Sequence, residues 1–200
     1  MRELIVILDA AHGSNVPGKC SPDNTHKEYI WSRNTVRLLK RKLQKLGFEV
    51  FETVKGSLEP GLSVRKKVAE NVRGSKKLLL SLHNNAAGSD GDWHNASGFE
   101  VWTTPGITGS DTCADYIINQ LKKDFPKIPC RVKENKYLNK DKEENFTVLT
   151  GKGYMAVLVE WLFQDNREDV DLLQNNKTNE DFVSSICKSI VSIDSHFMQS

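Results

Sequence analysis

Three short apolar runs constrain the fold most: "LIVIL" at Leu4–Leu8, "LLLSL" at Leu78–Leu82 and "YMAVLVE" at Tyr154–Glu160. Each is too short for a buried helix and dense in aliphatic side chains, the pattern of a strand covered on both faces. The segments between them switch to helical spacing. Trp31, Leu39, Leu43 and Leu46 fall near one helical face before Gly47 stops the pattern, and Leu62, Val68, Ala69 and Val72 repeat it further on. Strands alternating with helices predict an α/β fold: a single domain with a mostly parallel, mixed central sheet and helices on both faces. The chain has 200 residues, 38% of them hydrophobic, enough for one sizeable core and little for a second. Residues 1–200 are therefore expected to form one domain, with no separate binding domain.

The stretches "FEVFET" (48–53) and "GFEVWT" (98–103) read as further strands, and Ser110–Asp124 as a helix. Thr25 and Glu28 have capping-box spacing at the start of the long helix. The charged stretch Pro126–Asn145 predicts a surface insertion made of a strand and a loop. Two amphipathic segments, Arg167–Gln174 and Glu180–Phe197, close the chain, the second capped by Thr178 or Asn179.

Composition removes several classes of partner. A net charge of +2 and a pI near 8.3, without basic runs interleaved with aromatics, argue against nucleic acid. No apolar stretch approaches the roughly 18 residues of a membrane span, so no membrane partner is expected. The four cysteines, Cys20, Cys113, Cys130 and Cys187, include no C-x-x-C pair and read as free thiols. The opening "MRELIVILD" lacks the apolar run of a secretory signal, so no signal peptide is expected.

Four polar residues stand at informative places: His12, Glu28, His83 and Glu160. Three follow buried strands and one opens the long helix, and in open α/β sheets ligand sites collect at the carboxyl ends of strands. Two imidazoles and one carboxylate make a three-ligand zinc set with a fourth position for water, leaving a second carboxylate for proton transfer. Each residue also has an ordinary reading. A histidine beside a strand end serves equally as a hydrogen-bonded surface group, and the capping box accounts for Glu28. Glu160 is harder to dismiss, because a carboxylate closing an apolar strand must emerge or find partners. His26 in the capping turn, His94 beside Trp93 in a polar loop, and His196 near the end of the last helix stand outside this set.

The stretches "IVILDAAHG", "KEY", "LSLHNNA", "GFEVW" and "FTVLTGKGYMAVLVEWLFQDN" occur in that order along the chain. Together they resemble the motifs of the zinc-dependent N-acetylmuramoyl-L-alanine amidases of the type-3 (AmiC/LytC-like) family. The resemblance implies that His12, Glu28 and His83 bind Zn2+ and that Glu160 is the catalytic acid/base. It implies hydrolysis of the amide between N-acetylmuramic acid and L-alanine, with peptidoglycan as partner; a monomer is expected, although the sequence does not fix the oligomeric state. It also extends to single-domain phage endolysins, made in the bacterial cytoplasm and acting on the cell wall. Asp9 is placed to orient His12, and Arg65 fits a structural arginine of the helix after the second strand. The chain departs from the pattern at Ala11 and Leu162, where the family has glycine, at Ser14, where a second glycine is common, and at Val54, where arginine is common. Two other readings use the same residues: a peptidoglycan glycosidase with Glu28 and Glu160 as its carboxylate pair, and a non-catalytic wall-binding module.

Overall fold

A computed structural model describes residues 2–131 and 141–198. The elements run β1 (Ile5–Ala10), α1 (Glu28–Lys45), β2 (Val50–Glu52), α2 (Leu62–Asn71), β3 (Lys77–Asn85), β4 (Phe99–Thr103), α3 (Gly109–Asp124), β5 (Lys142–Glu143), β6 (Met155–Phe163), α4 (Arg167–Gln174) and α5 (Asn176–Met198). They build a six-stranded sheet in the order β2-β1-β3-β6-β4-β5. β2, β1, β3 and β6 run parallel; β4 pairs antiparallel with β6 and carries β5 parallel to itself. The sheet is mixed and mostly parallel, with helices on both faces, as the alternation of patterns predicts.

The two faces differ in depth. Leu8, Leu80, Leu82, Val101 and Val159 point toward a thick layer built by α1, α3 and α5, where Trp161 stacks on Phe182 with ring centroids 4.5 Å apart. The alternate positions point the other way. There a smaller cluster of Ile7, Leu79, Ala156 and Leu158 is covered by Ala69 and Val72 at the end of α2 and by Val148 and Leu149. Toward the carboxyl ends of the strands this thinner face turns polar: Asp9 lies in register with Ser81, and His83 with Glu160, which pairs in turn with Glu100.

The polar rows are held by a buried ion pair. Arg65 of α2 donates to both oxygens of Asp9, at 2.8 Å from Nε to Oδ1 and 2.5 Å from Nη2 to Oδ2, and both side chains are at most 1% exposed. Ser81 Oγ and Thr53 Oγ1 also donate to that carboxylate. Burial pushes the Asp9 pKa up, but the hydrogen bonds and charge of Arg65, with Ser81 and Thr53, outweigh it and hold the group below its ordinary value of 3.8.

Several local expectations are corrected. The Thr25–Glu28 capping box does not form: α1 begins at Glu28 behind Lys27, which makes no side-chain cap, and the Thr25 N–H and hydroxyl donate to Asp23 Oδ1 at 3.1 and 2.9 Å. The cap of α5 is Asn175, whose Oδ1 accepts from the Thr178 N–H at 3.1 Å, so the helix starts earlier than Thr178 or Asn179 would allow. β3 and β6 continue past His83 and Glu160, which lie within strands rather than after them. Of the expected insertion, residues 132–140 lie outside the described residues; on either side of them, Cys130 bridges to Phe99 and Lys142–Glu143 forms β5. The four cysteines are free thiols. Among the described residues no helix is long and apolar enough to cross a membrane.

Removing one partner of a buried pair leaves the other charge uncompensated, so Asp9→Asn is expected to lower unfolding free energy by about 3–5 kcal/mol at neutral pH. Because the native pKa is depressed, this stabilisation is complete above 3.8 and is lost as pH falls from there through the native value. Urea unfolding of both proteins across that range should show the variant losing less stability on acidification than the wild type.

Candidate metal centre

The site begins where β1 turns out of the sheet. The Ala11 N–H donates to Leu82 O at 3.2 Å and to Ser32 Oγ at 2.8 Å, and the Ser32 hydroxyl donates to Leu82 O at 2.8 Å, so one hydroxyl ties β1, α1 and β3 together. His12 follows with φ +43°, a left-handed conformation rare outside glycine. The Arg33 guanidinium fixes this turn by donating to Ala11 O at 2.9 Å, Gly56 O at 3.0 Å and His12 O. Gly13 comes next because a Cβ there would lie 2.1 Å from Glu59 N and 2.6 Å from Leu58 C. Only a residue without a side chain lets the two loops pass so closely.

These constraints aim His12 at Glu28, the first residue of α1. His12 Nε2 lies 3.6 Å from Glu28 Oε2, and His83 Nδ1 lies 3.1 Å from Glu28 Oε1. The two imidazoles meet edge to face with centroids 5.1 Å apart, and one ligand atom from each of the three residues falls within 4.8 Å of the others. The Asn84 N–H donates to Glu28 Oε1 at 3.1 Å, while the buried Oε2 accepts no hydrogen bond from the described residues. A carboxylate oxygen withdrawn from water without a donor is costly. Two imidazole nitrogens and that oxygen are the donor set of a zinc site, so the residues fit the ion on chemistry as well as spacing.

Burial drives the His12 pKa down to about 4, with the charges of His83 and Lys19 adding and those of Glu28 and Glu59 opposing, so the ring is neutral at neutral pH. Burial also works against charge on His83, but its hydrogen bond to Glu28 and the charges of Glu160 and Glu28 prevail and raise its pKa. For Glu28 burial is likewise outweighed, by His83 first, and the carboxylate stays ionised below its usual range. Glu160 behaves oppositely. Burial, with the charges of Glu28 and Glu100 adding and that of His83 opposing, lifts it to about 7. Its Oε2 is buried and makes no hydrogen bond with the described residues. Glu100, its cross-strand neighbour, is occupied by Arg131 at 3.2 Å and Lys142 at 2.7 Å.

The family model described as N-acetylmuramoyl-L-alanine amidase matches residues 6–192. The chain belongs to this family. Three solved structures share the fold of this family member. The N-acetylmuramoyl-L-alanine amidase from Clostridium difficile 630 has a TM-score of 0.82 at 24% identity over 96% of this chain and 97% of that one. The CwlD amidase from Clostridioides difficile, in complex with the GerS lipoprotein, has 0.81 at 20% identity over 96% and 98%. The catalytic domain of CwlV from Bacillus (Paenibacillus) polymyxa var. colistinus has 0.79 at 21% identity over 96% and 97%. No curated protein sequence matches the chain.

Within this amidase fold, His12, Glu28 and His83 come together, and Glu160 stands beside His83 in strand register. The remaining histidines are elsewhere: His26 Nε2 is bound to Asn84 Oδ1 at 2.8 Å, His94 to Asp90 at 2.9 Å, and His196 packs against Tyr116 and Phe197. The expectation for Asp9 is corrected, since its oxygens are taken by Arg65, Ser81 and Thr53. Besides Glu28, the acid that faces His12 is Glu59, whose Oε2 lies 3.8 Å from His12 Nδ1. Its distance from any recognisable motif leaves no signal for it in the sequence. The departure at Leu162 also has a physical account. Leu162 takes the left-handed conformation a glycine would favour, φ +61°, fully buried and with its N–H on Gly98 O at 3.0 Å, so core packing offsets the backbone strain.

Ser32→Ala removes the donor to Leu82 O and the acceptor for the Ala11 N–H in a buried position. It is expected to cost about 1–3 kcal/mol in urea unfolding.

Proposed function

We propose that this protein cleaves the amide bond between the lactyl group of N-acetylmuramic acid and L-alanine of the peptidoglycan stem peptide. His12, Glu28 and His83 hold Zn2+ in this reading, and Glu160 is the acid/base. The observation that carries it is the convergence of three donor side chains around a buried carboxylate oxygen without a hydrogen bond, beside a second carboxylate with a raised pKa. Membership of an N-acetylmuramoyl-L-alanine amidase family supports this choice of bond.

A zinc ion in this cradle supplies Lewis acidity, polarising the scissile carbonyl and lowering the pKa of a water. The rest of the work falls to the chain. Neutral His12 offers a ring nitrogen lone pair, and the Asn84 N–H holds Glu28 in place by donating to its Oε1. Glu160, whose pKa burial raises in the metal-free chain, takes the proton of the attacking water on its carboxylate and returns it to the departing nitrogen of L-alanine. An acid/base group works best with a pKa near the working pH, since it must be able both to accept and to release the proton. Glu28 is engaged by two imidazoles and a backbone N–H, which removes it from the free carboxylate pair that a glycosidase needs.

His83→Ala is expected to abolish stoichiometric zinc, read by elemental analysis, together with release of stem peptides. Glu160→Gln should retain zinc while lowering turnover about 10²–10⁴-fold. Mass spectrometry of a peptidoglycan digest should find new amino groups on alanine-ended peptides. A digest containing only new reducing ends, or full activity after chelation, would overturn the proposal.

A further inference from the structure

We infer that Glu59 is a positioning residue for the metal ligand His12: its carboxylate, facing Nδ1 at 3.8 Å, favours the proton on that nitrogen by its charge and so directs Nε2 toward the ion. The inference deepens the metal reading above and rests on it. Of the two ring nitrogens of His12, Nε2 faces Glu28 Oε2 and Nδ1 faces Glu59 Oε2, at 3.6 and 3.8 Å. A neutral imidazole carries one proton, and the nitrogen that binds a metal cannot hold it. The proton then belongs on Nδ1, where the charge of the facing carboxylate favours it.

The placement of Glu59 is built from three sides. Its Oε1 accepts from Arg65 Nη1 at 2.9 Å, which leaves Oε2 for the imidazole. Its backbone N–H donates to Asn15 Oδ1 at 2.8 Å, and the Ser14 N–H donates to Ser57 O at 2.8 Å. The missing side chain of Gly13 allows the backbone of Leu58 and Glu59 to pass against the His12 turn. The charge of Arg65 is already met by Asp9 through two hydrogen bonds. A second acid on the same guanidinium is not required for neutralisation, and its free oxygen points to the metal ligand. A contiguous relay thus joins the sheet interior to the site: Asp9, Arg65, Glu59, His12.

The test measures zinc affinity of the full chain by chelator competition, beside the metal-free unfolding midpoint and 15N NMR of the histidine rings. Glu59→Gln keeps an acceptor for Arg65 but turns an amide N–H toward Nδ1, whereas Glu59→Asp keeps the charge and shortens its reach. Both variants are expected to keep the metal-free midpoint, and Glu59→Gln to bind zinc about 10–100-fold more weakly, with Glu59→Asp in between. Zinc-loaded wild type should show His12 protonated at Nδ1, a reading independent of whether any variant folds. His12 protonated at Nε2, or Glu59→Gln binding zinc as tightly as wild type, overturns the inference alone. A wild type that binds no zinc overturns the metal reading with it.

Discussion

A carboxylate buried at the first residue of a helix is the constraint on which the site depends. Glu28 stands where the N–H groups of α1 favour negative charge, yet its side chain does not serve the helix end. It turns inward to His12, His83 and the Asn84 N–H. Withdrawing that charge from water is tolerable only if cations or strong donors surround it. The turn after β1, the upper end of β3 and the start of α1 must therefore meet at one point. Ser32, one turn further along α1, makes the meeting rigid by linking Ala11 to Leu82 through a single hydroxyl.

The second charged assembly explains why the first can exist on this face of the sheet. On the thick face, three helices cover a broad apolar surface that includes Leu8, Leu80, Leu82, Val101 and Val159. On the thin face the apolar cluster ends below Asp9 and Ser81, and Arg65 is buried to satisfy Asp9. His83, Glu160 and Glu100 then lie in one row across three strands. Neighbouring acids in that row are treated differently. Glu100 is paired with Arg131 and Lys142, whereas for Glu160 burial and the charges of Glu28 and Glu100 raise the pKa against the opposing charges of His83 and Lys19. Burial and neighbouring charge thus give Glu160 a raised proton affinity, of the kind found at sites that move protons.

The fold was legible because hydrophobic period is a local property. The runs at Leu4–Leu8, Leu78–Leu82 and Tyr154–Val159 belong to β1, β3 and β6, and the helical spacing of Trp31, Leu39 and Leu43 is the buried stripe of α1. Element ends were less legible, because they depend on what the next segment does. Thr25 and Glu28 satisfy the spacing of a capping box, but the imidazoles attract the glutamate more strongly than a backbone N–H exposed to solvent could. The strands outrun their apolar runs for a related reason. Once a face is polar, a histidine or glutamate can occupy a strand interior, and hydropathy no longer marks where pairing stops.

For the site, the sequence determined the ingredients: two histidines and two glutamates beside buried strands and at a helix start, in an order that resembles an amidase family to which the chain belongs. It also determined that glycine follows His12, though not that the backbone of Leu58 and Glu59 fills the space a side chain would need. Which acid serves which partner was decided by tertiary structure alone. Asp9 lies three residues from His12 yet pairs with Arg65, while Glu59, far away in the chain, faces the His12 ring. Alternation along β1 sends Asp9 to the buried thin face, and a loop crossing held by Gly13, Asn15 and Arg65 brings Glu59 in its place. Residue types and periods are written locally, but a charge finds its partner through space, and only the folded chain sets those distances.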